Sequence, residues 1–393
     1  MVLEVPGFVG GAIAADIKKK GEKDLAIVFS EVPACAAGVF TKNRVQAAPV
    51  RVDKERIASG RAQAIVANSG NANACTGSRG IEDATAMARA TAKALGIGDE
   101  LVLVASTGVI GQPLNLCAIE AAIPKLAGQL SRTGLFEVAQ AIMTTDTFPK
   151  AASRKVFVGE RAFSVAAVAK GAGMIRPDMA TMLCFVCTDV SATPQALDAI
   201  LRKAVAQSFN AITVDGDTST NDTVLVLANG LSGVNLGEAS CAEAFQKTLN
   251  EVLSTLAFQI VQDGEGATKL VRVEVKGAAS DEDARQVAYT IAESPLVKTA
   301  LFGEDANWGR IMAAIGRAGV PVNPETIQIC FDEVRIVKDG QGCGSEAEAE
   351  ATRIFKNDQF SITVDLELGS SAATVHTCDL STDYVKINAD YRT

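Results

Sequence analysis

The sequence predicts an α/β or α+β fold built around a large mixed β-sheet packed with helices. Short apolar runs bounded by turn residues alternate with longer helical patterns along the chain. The chain also has 33 glycines, 48% hydrophobic residues and 21% charged residues, as expected of a folded, turn-rich protein. Its 393 residues are too many for one simple core, so one large domain or two are expected.

The N-terminal half predicts alternating strands and helices. Residues 81–95 are rich in alanine, have an acidic first turn and are followed by Gly96, which predicts a helix that stops there. The other expected helices are residues 114–130 and 135–143. The expected strands are residues 25–30, 62–67, 101–106, 162–169 and 182–190.

The C-terminal half continues in the same style. Thr193 and Pro194 are suited to the cap and first turn of a helix that reaches about Ser208. Residues 341–351 are polar and predict an exposed loop or a short helix. A long helix is expected at residues 241–261. The expected strands are residues 223–228, 270–275, 327–337 and 360–368.

Charge and targeting patterns exclude several classes of protein. The formal net charge of −9 disfavours nucleic acid or an anionic membrane as a partner, because a phosphate-neutralising basic surface is missing. We expect no signal peptide and no membrane-spanning segment, and therefore a cytoplasmic protein.

The cysteine pattern predicts neither a disulfide framework nor a metal site. Nine cysteines are scattered along the chain, and there is a single histidine, His376. Cys184 and Cys187 are three apart in an apolar run, so they are interpreted as buried small hydrophobic residues rather than a redox or zinc pair. We expect no metal and no organic cofactor.

The most informative stretch is residues 170–183. Gly171, Gly173 and Pro177 predict a stiff, tightly shaped turn that enters a buried strand, with Thr181 at its mouth. In an ordinary protein, this hydroxyl would bond to a neighbouring backbone group. Alternatively, it attacks the carbonyl of Ala180, and hydrolysis of the ester frees an α-amino group on Thr181. With a reference pKa of about 7.7–8.0, that amine can act as base for its own hydroxyl.

The chain resembles the ornithine acetyltransferases of arginine biosynthesis, also called bifunctional glutamate N-acetyltransferases. The resemblance rests on motifs that occur in the family's order over almost the full length. These motifs are residues 37–44, 67–73, 106–111, 143–147, 170–183, 215–222, 262–269, 307–310 and 388–393. One departure is the pair His376-Thr377, in a presumed loop where the family commonly carries a glycine; its effect on the choice of acyl donor is left open.

The resemblance implies a self-cleaving fold of the N-terminal-nucleophile type, with mixed β-sheets packed with helices. Cleavage between Ala180 and Thr181 would give an alpha chain, residues 1–180, and a beta chain, residues 181–393, in a heterotetramer of two of each. The implied reaction moves the acetyl group of N2-acetyl-L-ornithine to L-glutamate through acetyl-Thr181. Whether acetyl-CoA is a second donor stays open.

The resemblance also assigns the remaining site residues. Thr107 and Gly108, which by themselves predict a plain turn after a strand, match the family's oxyanion-stabilising pair. Lys170 would bind a substrate carboxylate and Glu265 a substrate ammonium, although alone they would pass for a surface lysine and a loop acid. Thr145, in preference to Thr144, and the C-terminal Asn388 and Thr393 complete the predicted substrate contacts, together with Thr181. The apolar residues 384–387 predict that the C-terminus docks as a strand.

Two other functions are kept as alternatives. An N-terminal-nucleophile aminopeptidase or amidohydrolase would use the same threonine but pass the acyl group to water. A non-catalytic protein that kept the fold would remain an intact chain. Residues 215–218 (Asp-Gly-Asp-Thr) are not interpreted as a calcium loop, because the twelve-residue ligand spacing is absent.

Overall fold

The computed structural model describes residues 3–18, 20–176 and 182–389. The chain divides into one unit of Met1–Asn210 with Asp217–Ile260, and another of Ala211–Gly216 with Val261–Thr393. This division concerns packing, whereas the predicted pieces 1–180 and 181–393 concern covalent cleavage, and they stay a prediction.

An eight-stranded mixed sheet forms the centre of the first unit. Its order is β4-β3-β2-β8-β7-β6-β5, and β1 pairs with β2. The β3–β4 and β7–β8 pairs are parallel and the other neighbours are antiparallel, so the predicted mixed sheet is confirmed. The strands are β1 (Phe8–Ile13), β2 (Leu25–Phe40), β3 (Arg61–Asn71), β4 (Val102–Val109), β5 (Lys150–Val158), β6 (Arg161–Lys170), β7 (Leu183–Thr188) and β8 (Thr223–Ala228).

Helices pack on the sheet because its strands are apolar on both faces. On β2, Leu25 and Ile27 belong to a core shared with α2 and α3, while the alternate residues Ala26 and Val28 belong to a core shared with α4. The helices of this region are α1 (Ala48–Arg56), α2 (Gly77–Leu95), α3 (Leu116–Ala127), α4 (Leu135–Ala141), α5 (Pro194–Gln207) and α6 (Ala239–Gln262). The predicted cap of α5 is confirmed, since Thr193 Oγ1 accepts from Ala196 N at 3.3 Å.

The second unit contains a six-stranded sheet in the order β12-β11-β10-β13-β9-β14. Only the β9–β13 pair is parallel among its described strands. The strands are β9 (Leu270–Ala278), β10 (Gln328–Phe331), β11 (Val334–Lys338), β12 (Gln341–Gly342), β13 (Gln359–Asp365) and β14 (Ser371–Cys378). The helices are α7 (Asp281–Ala292), α8 (Pro295–Phe302), α9 (Trp308–Gly316), α10 (Ser345–Ile354) and α11 (Thr382–Ala389).

The expectation that the C-terminus docks as a strand was wrong. Residues 384–387 lie in α11, because Ser381 Oγ accepts from the first-turn amides of Asp383 at 3.2 Å and Tyr384 at 3.4 Å. A hydroxyl that satisfies these amides favours a helix over the strand that the β-branched residues suggested.

Two further boundaries differ from the sequence predictions. The single strand at residues 327–337 is a hairpin of β10 and β11, because Asp332 adopts a positive φ of 45° and reverses the chain. The segment with His376 and Thr377 lies within β14 rather than in a loop.

The predicted burial of the cysteine pair is confirmed. Cys184 and Cys187 are buried thiols on β7, and burial raises the pKa of both. Within residues 3–18, 20–176 and 182–389, no helix is long and apolar enough to cross a membrane.

Candidate active site

The register of β6 and β7 fixes where the turn before β7 begins and ends. Lys170, the last residue of β6, pairs with Leu183, the first residue of β7. In the sequence, residue 181 is two positions before Leu183. Ala180 and Thr181 themselves lie outside the described residues.

The described part of that turn departs from ordinary backbone geometry at two residues. Gly171 has φ +153° and Met174 has φ +57°. A non-glycine residue in the left-handed region costs about 1–3 kcal/mol and persists only where its surroundings hold it. The sequence-based expectation of a tightly shaped turn is met at these positions.

A buried carboxylate, Asp146, organises the entrance to this turn. Its Oδ1 accepts from Lys150 Nζ at 2.7 Å and from Gly171 N at 2.7 Å. Its Oδ2 accepts from Thr144 N at 2.9 Å and lies 3.8 Å from Lys170 Nζ. Lys170 Nζ also donates to Thr144 Oγ1 at 2.8 Å, so Lys170 is a buried member of a network rather than a surface lysine.

The charge state of Asp146 follows from this geometry. Burial alone would raise its pKa, but the positive charges of Lys170 and Lys150, with the hydrogen bonds from Lys150 and Gly171, hold the pKa well below its ordinary value. The carboxylate is therefore ionised at neutral pH between two ammonium groups. The cluster carries one more positive than negative charge, which suits a substrate carboxylate.

Thr144 and Thr145 are in different surroundings. The Thr144 hydroxyl accepts from Lys170, whereas the half-buried Thr145 hydroxyl makes no hydrogen bond to another described residue. The preference for Thr145 as the substrate contact stays a prediction.

The candidate oxyanion residues lie at the end of β4, which extends to Val109 and not only to residue 106. Asn71 of β3 pairs with both Thr107 and Val109, so β4 is irregular at Gly108. Gly108 has φ +132°, and a Cβ there would lie 2.3 Å from the carbonyl carbon of Gly70. Only glycine fits this position. The buried Thr107 hydroxyl makes no hydrogen bond to another described residue, which leaves it able to donate to a ligand.

Lys18 joins the two parts of the first unit's site. Its Nζ donates to the carbonyls of Met143 and of Ala141, the latter at 3.2 Å. Its Cγ lies 2.8 Å from where a Cβ on Gly70 would stand, beside the end of β4. Burial lowers the pKa of Lys18 to about 8; the charge of Lys170 acts in the same direction and that of Asp24 opposes it. Lys18 thus lies between the oxyanion pair and the Lys170 network.

Within the second unit, the structure brings two predicted substrate contacts together. Asn388 Nδ2 donates to Glu265 Oε2 at 2.7 Å, and Glu265 is only 8% exposed. Gly266, with φ +68°, would place a Cβ 2.5 Å from Tyr384 N, so its missing side chain lets α11 approach. Thr393 lies outside the described residues.

Sequence reasoning missed three features of the site. Asp146 stood in the family motif at residues 143–147, but the substrate contact there was assigned to the threonines before it. Lys18 gave no signal, because three consecutive lysines are typical of a solvated surface. Asn221 and Asp222 stood in the family motif at residues 215–222, but the sequence assigned them no role.

Comparison with known proteins identifies the family. The ArgJ family model matches residues 10–393. The chain belongs to the ArgJ family. The arginine biosynthesis bifunctional protein ArgJ of Geobacter sulfurreducens is 53% identical over 394 residues, and that of Syntrophotalea carbinolica is 55% identical over 395 residues; both cover 100% of this chain and of their own. The crystal structure of the arginine biosynthesis bifunctional protein argJ from Bacillus halodurans, 46% identical, superposes with a TM-score of 0.50 over 52% of this chain and 97% of that chain.

Family membership confirms the predicted resemblance, fold class and enzyme class. The protein is a multifunctional acetyltransferase of arginine biosynthesis, and its substrates are small molecules. The roles of individual residues are proposals.

Proposed function

We propose that this protein cuts its own chain between Ala180 and Thr181 and then moves the acetyl group of N2-acetyl-L-ornithine to L-glutamate through acetyl-Thr181. The pairing of Lys170 with Leu183 is the observation that carries the proposal. It ties the carboxylate-binding network to the strand that Thr181 enters.

The first reaction is self-cleavage. The Thr181 hydroxyl attacks the Ala180 carbonyl carbon, the C–N bond breaks, and an ester joins the two residues while the Thr181 amine takes the proton. Water then hydrolyses the ester, which leaves a carboxylate on Ala180 and restores the hydroxyl. The positive φ of Met174 supports this step, because strain held in the preceding turn can be released on cleavage.

The second reaction is a double displacement. The neutral amine of Thr181 accepts the hydroxyl proton as Thr181 Oγ attacks the acetyl carbonyl. The Thr107 hydroxyl and the Gly108 N–H stabilise the oxyanion, and the proton passes to the departing amine of ornithine. The neutral amine of glutamate then attacks the acetyl carbonyl of acetyl-Thr181 through a second oxyanion. The bond from this carbonyl carbon to Thr181 Oγ breaks, the proton released by the glutamate nitrogen passes through the Thr181 amine to Oγ, and N-acetylglutamate leaves. No cofactor enters this scheme.

The amino-acid ends of the substrates need opposite charges. The network of Lys170, with its surplus positive charge, suits the α-carboxylate, and Thr145 supplies a hydroxyl. The nearly buried Glu265, oriented by Asn388, suits an ammonium group. We assign Thr393 to the same group of contacts from the family resemblance alone.

Two observations support the cleaved assembly. The match to the solved Bacillus halodurans chain covers 97% of that chain but only 52% of this chain. The solved chain is therefore about half as long as this one, as expected of one of two pieces of a cut protein. In addition, β6 and β7 pair across the proposed cut, so the alpha chain 1–180 and beta chain 181–393 would expose buried strands if they separated. Pairing of two such heterodimers into a heterotetramer is part of the proposal, and light scattering tests it.

Two further elements complete the proposal. Acetyl-CoA as a second donor to glutamate fits the relatives' designation as bifunctional, and formation of N-acetylglutamate from acetyl-CoA tests it directly. A cytoplasmic location agrees with the net charge of −9, which disfavours anionic membranes.

The decisive experiment compares Thr181→Ala with the parent protein. Intact mass should show one uncut chain for Thr181→Ala and two for the parent, and acetyl transfer should be lost. Thr181→Ser, the matched control, keeps the hydroxyl and should still cut. Cleavage at the same bond in Thr181→Ala, or transfer at the parent rate, would refute the proposal. Hydrolysis of acetylornithine that ignores glutamate would point to the amidohydrolase alternative.

A further inference from the structure

The motif at residues 215–222 has no role in the scheme above, yet its last two residues lie at the start of the central strand β8. Asn221 is 6% exposed and Asp222 is fully buried. Polar side chains buried to this degree must be paired to avoid a desolvation cost of about 1–3 kcal/mol each. Their partners therefore indicate what they hold.

Asn221 bonds to the backbone that carries the oxyanion pair. Its Nδ2 donates to the carbonyl of Ser106 at 2.8 Å and to that of Ala72 at 2.6 Å, and its Oδ1 accepts from Thr220 Oγ1 at 2.6 Å. Ser106 immediately precedes Thr107. One amide group thus joins the end of β4 to the segment that follows β3.

Asp222 bonds to the backbone on the nucleophile's side. Its Oδ1 accepts from Met182 N at 3.0 Å, and the next amide, Thr223 N, donates to the Met182 carbonyl at 3.0 Å. Met182 N is two covalent bonds from Cα of Thr181, so this contact restrains the point where the nucleophile joins the sheet.

We propose that Asn221 and Asp222 are positioning residues that hold the oxyanion donors in register with Thr181. The inference rests on the proposed function, because it takes the roles of the nucleophile and the oxyanion pair from there. Two consecutive residues with short side chains bond to the two backbone segments that must meet the same acetyl carbonyl. A change in either contact alters the separation of nucleophile and oxyanion donors without removing either.

The charge of the carboxyl group is not what this role needs. Burial raises the pKa of Asp222 well above its ordinary value, although the N–H of Met182 and the charge of Lys170 act in the opposite direction. The contact with Met182 needs only an oxygen that accepts a hydrogen bond from the backbone N–H. An asparagine keeps one accepting oxygen and replaces the other by an amide nitrogen that does not titrate.

The first test removes the Asn221 contacts and controls for stability. Asn229 lies at the other end of β8, where its Nδ2 donates to the Pro6 carbonyl at 2.8 Å, so Asn229→Ala is a matched loss of a buried amide. Asn221→Ala should lower kcat for acetyl transfer about 100-fold, the usual effect of misplacing reacting groups by about 1 Å. The KM values should change less than about threefold, because no substrate contact is lost. Asn229→Ala should leave kcat within about threefold at a similar Tm.

The second test separates the Asp222 hydrogen bond from its charge. Asp222→Asn should keep kcat within about threefold of the parent, because its amide oxygen can still accept from Met182 N. Asp222→Leu, of similar size but without an acceptor, should lose about 100-fold in kcat.

The Asn221 test has a second variant. If Asn221→Ala does not fold, Asn221→Leu preserves the volume of the side chain and should show the same fall in kcat.

The outcomes distinguish this inference from the proposed function. If Thr181→Ala is still cut or active, the proposed function fails and the inference fails with it. If Thr181→Ala behaves as expected but Asn221→Ala loses no more kcat than Asn229→Ala, only the positioning role is overturned. Equal kcat losses in Asp222→Asn and Asp222→Leu would likewise overturn it. A selective kcat loss with rescue by Asp222→Asn supports it.

Discussion

Replacing Gly108 by alanine tests the oxyanion pair most directly. The added Cβ would lie 2.3 Å from the carbonyl carbon of Gly70 and 2.5 Å from the amide nitrogen of Asn71. Both are backbone atoms, so no side-chain rotation relieves the contact. Reaching even 3.0 Å, the lower limit of real Cβ contacts, requires a movement of 3.0 − 2.3 = 0.7 Å at the end of β4.

Gly108→Ala is expected to lower both the stability of the protein and its rate of acetyl transfer. The unfavourable φ of +132° costs about 1–3 kcal/mol and the overpacking another 1–3 kcal/mol, which leaves a protein of about 5–15 kcal/mol stability able to fold. The displacement moves two oxyanion donors at once, and loss of one such donor lowers kcat about 10²–10³-fold. We therefore expect acetyl transfer to fall at least 100-fold while the chain remains folded.

The assay measures the initial rate of N-acetylglutamate formation, together with Tm and intact mass. Gly111→Ala is the matched control, because Gly111 also has a positive φ, +83°, but its Cβ would meet nothing within 4 Å. It should lose about 1–2 kcal/mol of stability and keep its rate within about threefold. Equal rates in the two variants would refute the assignment of Gly108 to the oxyanion site.

The remaining predictions concern the charged groups. Lys150→Met removes one of the two ammonium partners of the buried Asp146 carboxylate, so the free energy of unfolding measured in urea should fall by about 3–5 kcal/mol. A fall of less than about 1 kcal/mol would contradict the buried ion pair. The pKa of Lys18 falls from 10.5 to about 8 on folding, so between these pH values the unfolded chain binds more protons than the folded chain. The parent should therefore gain stability relative to Lys18→Met as the pH rises from about 8 to 10.5. A difference in Tm between the two proteins that stays constant from pH 7.5 to 10.5 would count against this prediction. Glu265→Gln keeps an oxygen that accepts from Asn388 but loses the negative charge. The KM for acetylornithine or glutamate should therefore rise about 10- to 100-fold, while self-cleavage continues. Unchanged KM values would remove Glu265 from the substrate site.

Local sequence patterns predicted the strands and helices well where one signal dominated. The apolar run at residues 182–187 predicted β7, and Thr193 with Pro194 predicted the start of α5. Errors arose where two signals competed. At the C-terminus, β-branched residues favoured a strand, but Ser381 satisfies the first amides of a helix, and a single hydroxyl is hard to recognise as a cap before the fold is known.

The candidate site was predictable as a set of residues but not as an arrangement. Family motifs supplied Lys170 and Glu265, and the buried surroundings of both exclude the surface roles that their residue types alone suggest. The ionised Asp146 between two lysines depends on the pairing register of β5, β6 and β7, which no short window of sequence encodes. The same holds for Lys18, whose ammonium group donates to carbonyls more than a hundred positions away along the chain.

The arrangement also explains how an acidic protein can bind carboxylates. A net charge of −9 repels anionic substrates at long range, but the field is screened over about 8 Å at physiological ionic strength, so the local charge decides binding. Around Asp146, Lys150 and Lys170 outnumber the one carboxylate, and the lowered pKa of Asp146 keeps that balance fixed across the neutral range. Lys18, with a pKa of about 8, adds a third positive charge below that pH. The first unit therefore presents a local positive site beside the strand that Thr181 enters.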